Sequence, residues 1–539
     1  MFSCQSPPAA DYIFYNGKIF TARSENDFIS AMAVKNSNII ATGTDEEILK
    51  KYQPPASKKI DLHKKLVLPG FHDAHLHFWN GSKMIQQLDL RNIKSRKVVL
   101  QKIREAAAQA QAGSWIIGRG WDHELWKEKK LPDKKLLDAI STEHYIYLRR
   151  VDGHASWVNS KTLERLGYSH DTPDPPGGKI MRYRHSKEPN GILFETADDP
   201  IADLIPEPTY KDKYNWMQKS ILLANSLGLT SITDNSPLDM YKVYSDLYKN
   251  GKLSLRINFW FNYRENLDSV RQYIIGIGSV PHFLTAGLVK IYADGSLGSR
   301  TAYLLQEYND DPGNHGLPQH SFEEMLQMVR NIESNNYDVG IHAIGDAGVR
   351  QVLDVYEQVI RSDPGRDYRF RIEHAQMIAP QDFKKFKELD VIASMQPSHC
   401  ITDLHWAEKR IGKRARYAYT WKSFLEWGVR LAFGTDWPVE PLNPMVGLYA
   451  AVTRRDTLGF PGGGWYPEER ISLGQAIMAY TAGAAFAARN EDWCGTLEPG
   501  KIADFLILDR DIFQVTPREI LRAKVLATYI GGIKVFERK

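Results

Sequence analysis

The sequence predicts an α/β protein: a (β/α)8 TIM barrel, a small β-sandwich domain built from both termini, and an insertion after barrel strand 1. Three observations predict it. Eight short apolar runs recur through the middle of the chain, several followed by helical patterns. The two ends share another texture, apolar runs broken by turns. One link, from about residue 80 to about 210, is too long for a single strand-to-helix connection.

The elements follow in order. Residues 12–63 read YIFYNGKIFT, AMAVKNSNIIATG and KKIDL, and Asn16-Gly17 between apolar flanks predicts a hairpin. Residues 1–65 are therefore the N-terminal part of the sandwich. The barrel spans 66–488, with strands expected in LVLPGFHDAHLHF (66–78), TSITDN (230–235), LRINFWFN (255–262) and LVKIYADG (288–295). DVGIHAIG (338–345), FRIEHAQ (370–376), VIASMQPS (391–398) and VRLAFGTDW (429–437) complete the eight. Inside the long link, helical pieces, HYIYLRR and the Pro/Gly-rich PDPPGGKI predict a separate insertion over the barrel mouth. Residues 489–539 return to the sandwich through ADFLILDRD and VLATYIGGIKVFE, with Gly531-Gly532 as a turn.

Bulk properties fit this plan. A length of 539 residues suits a barrel of about 250 residues or more plus accessory parts. Apolar residues make up 43% and charged residues 25%, a globular profile. A net charge of +4 argues against a dedicated nucleic-acid binder. The basic run Lys127–Lys135 is interrupted by Glu128, Pro132 and Asp133 and reads as a solvated loop. Three cysteines make no disulfide framework or metal knuckle. No apolar run reaches the about 18 residues of a transmembrane segment. The start, MFSCQSPPAADY, lacks the basic and apolar regions of a signal peptide, so a cytoplasmic location is expected. The alternative is a trimmed envelope lipoprotein anchored through Cys4.

The chemistry begins at His75-Leu76-His77. Alternate residues of a strand point to one side, so both imidazoles face one point, and imidazole suits zinc, iron and similar metals. The competing reading is a pair of core histidines with ordinary hydrogen bonds. Lys290, His342, His374 and Asp436 each stand near the carboxyl end of a later expected strand. Catalytic groups of such barrels come from several strands at that face, and six unpaired buried ionisable residues would otherwise be costly. Lys290 also has a structural alternative, pairing with Asp294.

These segments carry a family likeness. PGFHDAHLHF, GRGWDHELW, RVDGHASWVNS, VKIYADGSLGSRTA, GIHAIGD, RIEHAQ, MQPSHC, FGTDWPVEPLNP and LEPGKIADFLILD resemble the amidohydrolase superfamily, in its branch related to N-substituted formamide deformylases (amidohydrolase family 3). The resemblance implies one or two divalent metal ions: zinc, with iron or manganese as alternatives. His75, His77 and Asp436 would bind one metal and His342 and His374 a second. Lys290, carboxylated by carbon dioxide, would bridge the two as a carbamate. Metal lowers the pKa of its bound water to about 7. Asp436 would carry the proton to the leaving nitrogen. The resemblance also implies substrate contacts at Trp121, Asp122, His123, Asp152 and His154 in the insertion, and at Arg300, His399 and Asp403 after later strands.

The expected function is hydrolysis of a non-peptide carbon–nitrogen bond in a small amide, formamide or cyclic amide. The expected partners are a small-molecule amide-like substrate and a second copy of the chain in a homodimer. The competing functions are an ester or phosphoester hydrolase using the same ligands, and a catalytically silent metal-binding regulatory barrel.

Overall fold

A computed structural model describes residues 10–52 and 57–539. Cys4, the residue on which a lipid anchor would depend, lies outside the described residues. The chain forms two compact units, one comprising residues up to Gly81 together with Met217–Lys539, the other Ser82–Trp216. No helix among the described residues is long and apolar enough to cross a membrane.

The first unit is organised around eight parallel strands. They are β1 (Phe71–Leu76), β2 (Leu229–Asn235), β3 (Arg256–Asn262), β4 (Leu284–Tyr292), β5 (Asp338–Ala343), β6 (Arg371–His374), β7 (Ile392–Met395) and β8 (Leu431–Phe433). Each pairs with its sequence neighbour in the order expected of a (β/α)8 barrel. The strands are almost wholly buried, as parallel strands covered on both faces must be.

The seam between β1 and β8 is closed just beyond β8. The Asp436 amide donates to the His75 carbonyl (2.7 Å), and the His77 amide donates to the Trp437 carbonyl (2.8 Å). The Asp73 carboxylate accepts from the Thr435 amide (2.9 Å) and hydroxyl (2.5 Å). Gly434 sits in this seam because a Cβ there would stand 2.6 Å from the His75 nitrogen. Barrel closure is thus what carries Asp436 to the two histidines.

The expected first strand, 66–78, is two elements. Leu66–Pro69 belongs to a six-stranded sheet, and the chain breaks into β1 at Gly70, where a Cβ would clash with Thr230. That sheet interleaves both chain ends: Phe28–Ile29, Lys18–Phe20, Leu66–Pro69, Phe505–Leu508, Val525–Ile530 and Ile533–Glu537 lie side by side. A second sheet holds Asn38–Gly43, Ala31–Lys35, Tyr12–Tyr15 and Lys58–Asp61. Phe14, Met32 and Val34 of one sheet share a core with Val67, Phe505 and Tyr529 of the other. The Gly531-Gly532 hairpin forms, with φ of 59° and 75° at its two central residues.

The hairpin expected at Asn16-Gly17 does not form. Tyr12–Tyr15 pairs with Ala31–Lys35 and Lys58–Asp61, whereas Lys18–Phe20 pairs with Phe28–Ile29 and Leu66–Pro69. The turn therefore passes the chain from one sheet to the other. Asn16 takes φ 56° but Gly17 has no positive φ, so the two-residue hairpin geometry is not met.

The second unit is a mixed six-stranded sheet with a helix, Arg96–Gln109, packed on it. Its core gathers Trp121, Trp126 and Trp157 with Val99, Ile103, Ile146 and Leu148.

Candidate metal centre

β1 ends with two imidazoles whose Nδ1 atoms are both engaged. His75 Nδ1 lies 2.5 Å from Glu373 Oε2, and His77 Nδ1 lies 3.1 Å from the Asn235 carbonyl. Both partners are acceptors, so Nδ1 carries the proton and Nε2 presents a lone pair. The two Nε2 atoms stand 3.6 Å and 3.3 Å from Asp436 Oδ1. At the end of β6, His374 is held the same way, with Nδ1 2.8 Å from Gln396 Oε1.

Two sets of donor atoms result among the described residues. His75, His77 and Asp436 form one; His374, His399 and Asp436 form the other, and within each set the atoms lie within 4.8 Å of one another. His399, expected to contact substrate, has Nε2 3.2 Å from Asp436 Oδ2. His342 belongs to neither set. Its ring is 4.5 Å from that of His374, but its Nε2 is turned to the Gly295 carbonyl at 3.1 Å, leaving Nδ1 as the nitrogen available to a ligand.

Lys290 is buried beneath this group, with Nζ 4.7 Å above the Trp260 ring and without a hydrogen-bond partner. The alternative pairing with Asp294 is not made. Asp294 instead accepts from the backbone amides of Tyr303, Ile344 and Gly345, which ties the loops after β4 and β5 together.

Electrostatics prepare His75, His342 and His374 to bind a cation, whereas His399 is held as a cation beside Asp436. Burial, reinforced by the Lys290 charge, lowers His75 to about 4 and His342 to about 3. Burial and His342 hold His374 far below its ordinary value. These rings are neutral at pH 7, the form that ligates metal. Burial lowers Lys290 to about 8. Burial alone would raise the Asp436 carboxyl, but the hydrogen bond from His399 and the adjacent His77 ring hold it well below the carboxylate range. Burial likewise acts to lower His399, and Asp436 with Glu440 outweighs it, raising the ring to about 9.

Two of these groups sit on left-handed backbone. His374 and Asp436 both adopt left-handed φ, 70° and 57°. Such conformations cost a non-glycine residue on the order of 1 kcal/mol, and at Asp436 the backbone bond to the His75 carbonyl across the barrel seam holds the residue in place.

The pocket over the site has a volume of about 360 Å³. The six expected ligands line it, with His399, Asp403, Gln376, Tyr292, Trp406 and Val439 among the others. Arg300 does not line it. Its guanidinium is forked onto Asp310, with contacts of 3.1 Å and 3.0 Å.

The insertion residues take places within their own unit. Trp121 is fully buried in that unit's core, its indole N–H donating to the Leu148 carbonyl at 2.8 Å. Packed against Trp126 and Trp157, it has no face left for a substrate, which corrects the expectation for it. Asp122 caps a short 3-10 turn and accepts from Arg150. His123 lies 3.2 Å from Glu124, and Asp152 is joined to Arg150. His154 is exposed beside Glu195.

Several residues that shape the site escaped the sequence reading. Glu373 accepts from His75, from Ser394 and from the buried Arg371. Asp234 accepts from the Phe78 amide, Ser236 and Tyr244, fixing the segment after β1. The signal for Glu373 was present as a charged pair inside an apolar run, Arg371 and Glu373 in FRIEH.

Comparison with known proteins places this geometry. The pattern of the amidohydrolase family matches residues 58–536. The Arabidopsis thaliana protein LONG AFTER FAR-RED 3 is 34% identical over 98% of this chain and 93% of its own length. The N-substituted formamide deformylase of Arthrobacter pascens is 25% identical over 98% of both chains. A crystal structure of an uncharacterized metal-dependent hydrolase from Pyrococcus furiosus superposes with a TM-score of 0.74, at 29% identity, covering 93% of this chain and 99% of that one.

Proposed function

This chain belongs to the amidohydrolase family and is a metal-dependent hydrolase, and we propose that it cleaves a non-peptide carbon–nitrogen bond in a small amide, formamide or cyclic amide. One observation carries the metal-dependent part of this reading. His75 Nε2, Lys290 Nζ and Asp436 Oδ1 are buried polar atoms of one pocket, and none has a hydrogen-bond partner. Orphaned groups of this kind are costly, and a divalent cation with carbon dioxide on the lysine would satisfy all three.

His75, His77 and Asp436 would hold one ion, and His374 with His342 through Nδ1 a second. Zinc fits imidazole and carboxylate donors, with iron and manganese as alternatives. Such an ion supplies a water of lowered pKa and polarises a carbonyl oxygen. Lys290 can become a ligand because its free amine, about a tenth of the population at pH 7 for a pKa near 8, adds to carbon dioxide. The N–C bond forms, the nitrogen loses a proton, and an anionic carbamate replaces a buried cation. Asp436 would accept the proton of the attacking water and deliver it to the leaving nitrogen, its carboxylate lying between His75, His77 and His399. The deformylase relative acts, by its name, on N-substituted formamides, which supports a carbon–nitrogen bond here.

Phosphoester hydrolysis is the second reading, and the pocket favours it less. Lys290 is the one lysine or arginine among the described lining residues, and Arg300 is occupied by Asp310. Beyond the metal ions themselves, the described lining offers no guanidinium to clamp the oxygens of a phosphoryl group.

The test is a metal-loaded preparation assayed against N-formyl and N-acyl amines, aryl esters and aryl phosphates, with Asp436→Asn as control. Turnover of the amides, lost in the variant, is expected. Turnover of phosphates alone would overturn the carbon–nitrogen assignment.

A further inference from the structure

Beside the metal ligands, one polar side chain of the pocket has its orientation dictated by two buried neighbours. Gln376 follows β6 by two residues and lines the pocket together with Asp403. Its Nε2 donates to Asp403 Oδ2 at 3.0 Å, and the Tyr419 hydroxyl donates to the same oxygen at 2.5 Å. All three residues are buried.

The backbone fixes the arrangement as well. The Tyr419 amide donates to the Gln376 carbonyl at 2.8 Å, and Arg454 donates to the Tyr419 carbonyl at 2.6 Å. Turning the Gln376 amide over would set its oxygen against the Asp403 carboxylate, so the NH2 group is committed to Asp403. Oε1 is left as an acceptor with no partner among the described residues. Asp403 is then a positioning residue, its Oδ2 occupied by two internal donors.

We propose that Gln376 Oε1 accepts a hydrogen bond from the N–H of the substrate's scissile group, so that the enzyme selects secondary over N,N-disubstituted amides. This rests on the carbon–nitrogen reading above and narrows its substrate class. A neutral acceptor suits the task. It rejects a ligand that presents N–CH3 in place of N–H, because the methyl group then displaces water from the acceptor without giving it a donor. The bond also holds the nitrogen substituent in one orientation while Asp436 delivers its proton.

The test uses two metal chelators that differ by one group, formohydroxamic acid and N-methylformohydroxamic acid, titrated into the zinc-loaded full chain. The N–H compound should bind roughly ten- to a hundredfold more tightly. In Gln376→Met, close in volume but without an acceptor, the preference should shrink to within about twofold. Tyr419→Phe should lower it part of the way. The kcat/KM ratio of N-butylformamide over N-butyl-N-methylformamide should move in parallel.

Equal binding of the two chelators to the wild type would overturn the inference. A preference surviving intact in Gln376→Met would do so too, by showing that it is steric. Failure of both chelators to bind would instead strike the metal centre itself, with this inference falling alongside it.

Discussion

His75 Nδ1 lies 2.5 Å from Glu373 Oε2, and this bond joins the rim of β1 to the interior of β6. Glu373 is in turn held by Arg371 and by Ser394 at 2.7 Å. The carboxylate keeps the His75 proton on Nδ1 and turns Nε2 to the pocket. Glu373→Gln should therefore lower metal affinity about ten- to a hundredfold, the usual cost of losing a carboxylate behind a ligating histidine. Metal competition with a chromogenic chelator checks it. Unchanged affinity would remove Glu373 from the site.

The Lys290 amine, lowered to about 8 by burial, sets the pH at which carbon dioxide can be captured. Only the neutral amine reacts, so capture falls about tenfold per pH unit below that value and levels off above it. At a fixed concentration of dissolved 13C-labelled carbon dioxide, the metal-free protein should show a carbamate carbon resonance growing in faster at pH 8 than at pH 6. Lys290→Ala should abolish the signal. A wild type silent at both pH values would contradict the bridging role.

Asp436→Asn keeps the shape of the side chain and removes its capacity to take a proton. Hydrolysis should fall about 10²- to 10⁴-fold, the range ascribed to a positioned general base. Metal content, read by atomic emission, should fall far less. Retained turnover would dismiss the proton-transfer role.

The barrel is tied to the terminal sheet by a buried ion pair. Arg256 Nε and Nη2 donate to Asp504 Oδ2 and Oδ1 at 2.5 Å and 2.9 Å, and Asp504 also accepts from the Gly531 amide. Asp504→Ala leaves the guanidinium charged and unpaired, a loss of about 3–5 kcal/mol. Thermal unfolding should shift down markedly, with activity per folded molecule unchanged. A melting temperature equal to wild type would show that the pair carries no net stability.

Much of this was legible without coordinates. Eight buried strands announce themselves as apolar runs, and ionisable residues at their ends, His75 and His342 for example, stand out because burial of charge is costly. The rest was not legible, for particular reasons. Trp121 in GRGWDHELW has the composition of a binding loop, and only the packing of Trp126 and Trp157 around it makes it core. Arg300 was expected to meet substrate, and its actual partner, Asp310, sits in a loop with no periodic signal.

The sequence by itself determined the architecture and the kinds of atom gathered at the strand ends, because side-chain alternation and the cost of burying charge act within a few residues. Tertiary structure alone decided that Asn16-Gly17 crosses between sheets, that Glu373 aims His75, and that Asp403 turns the Gln376 amide. Each of those outcomes is a pairing between distant segments, and a hydrogen bond formed across a closed barrel has no imprint in local periodicity.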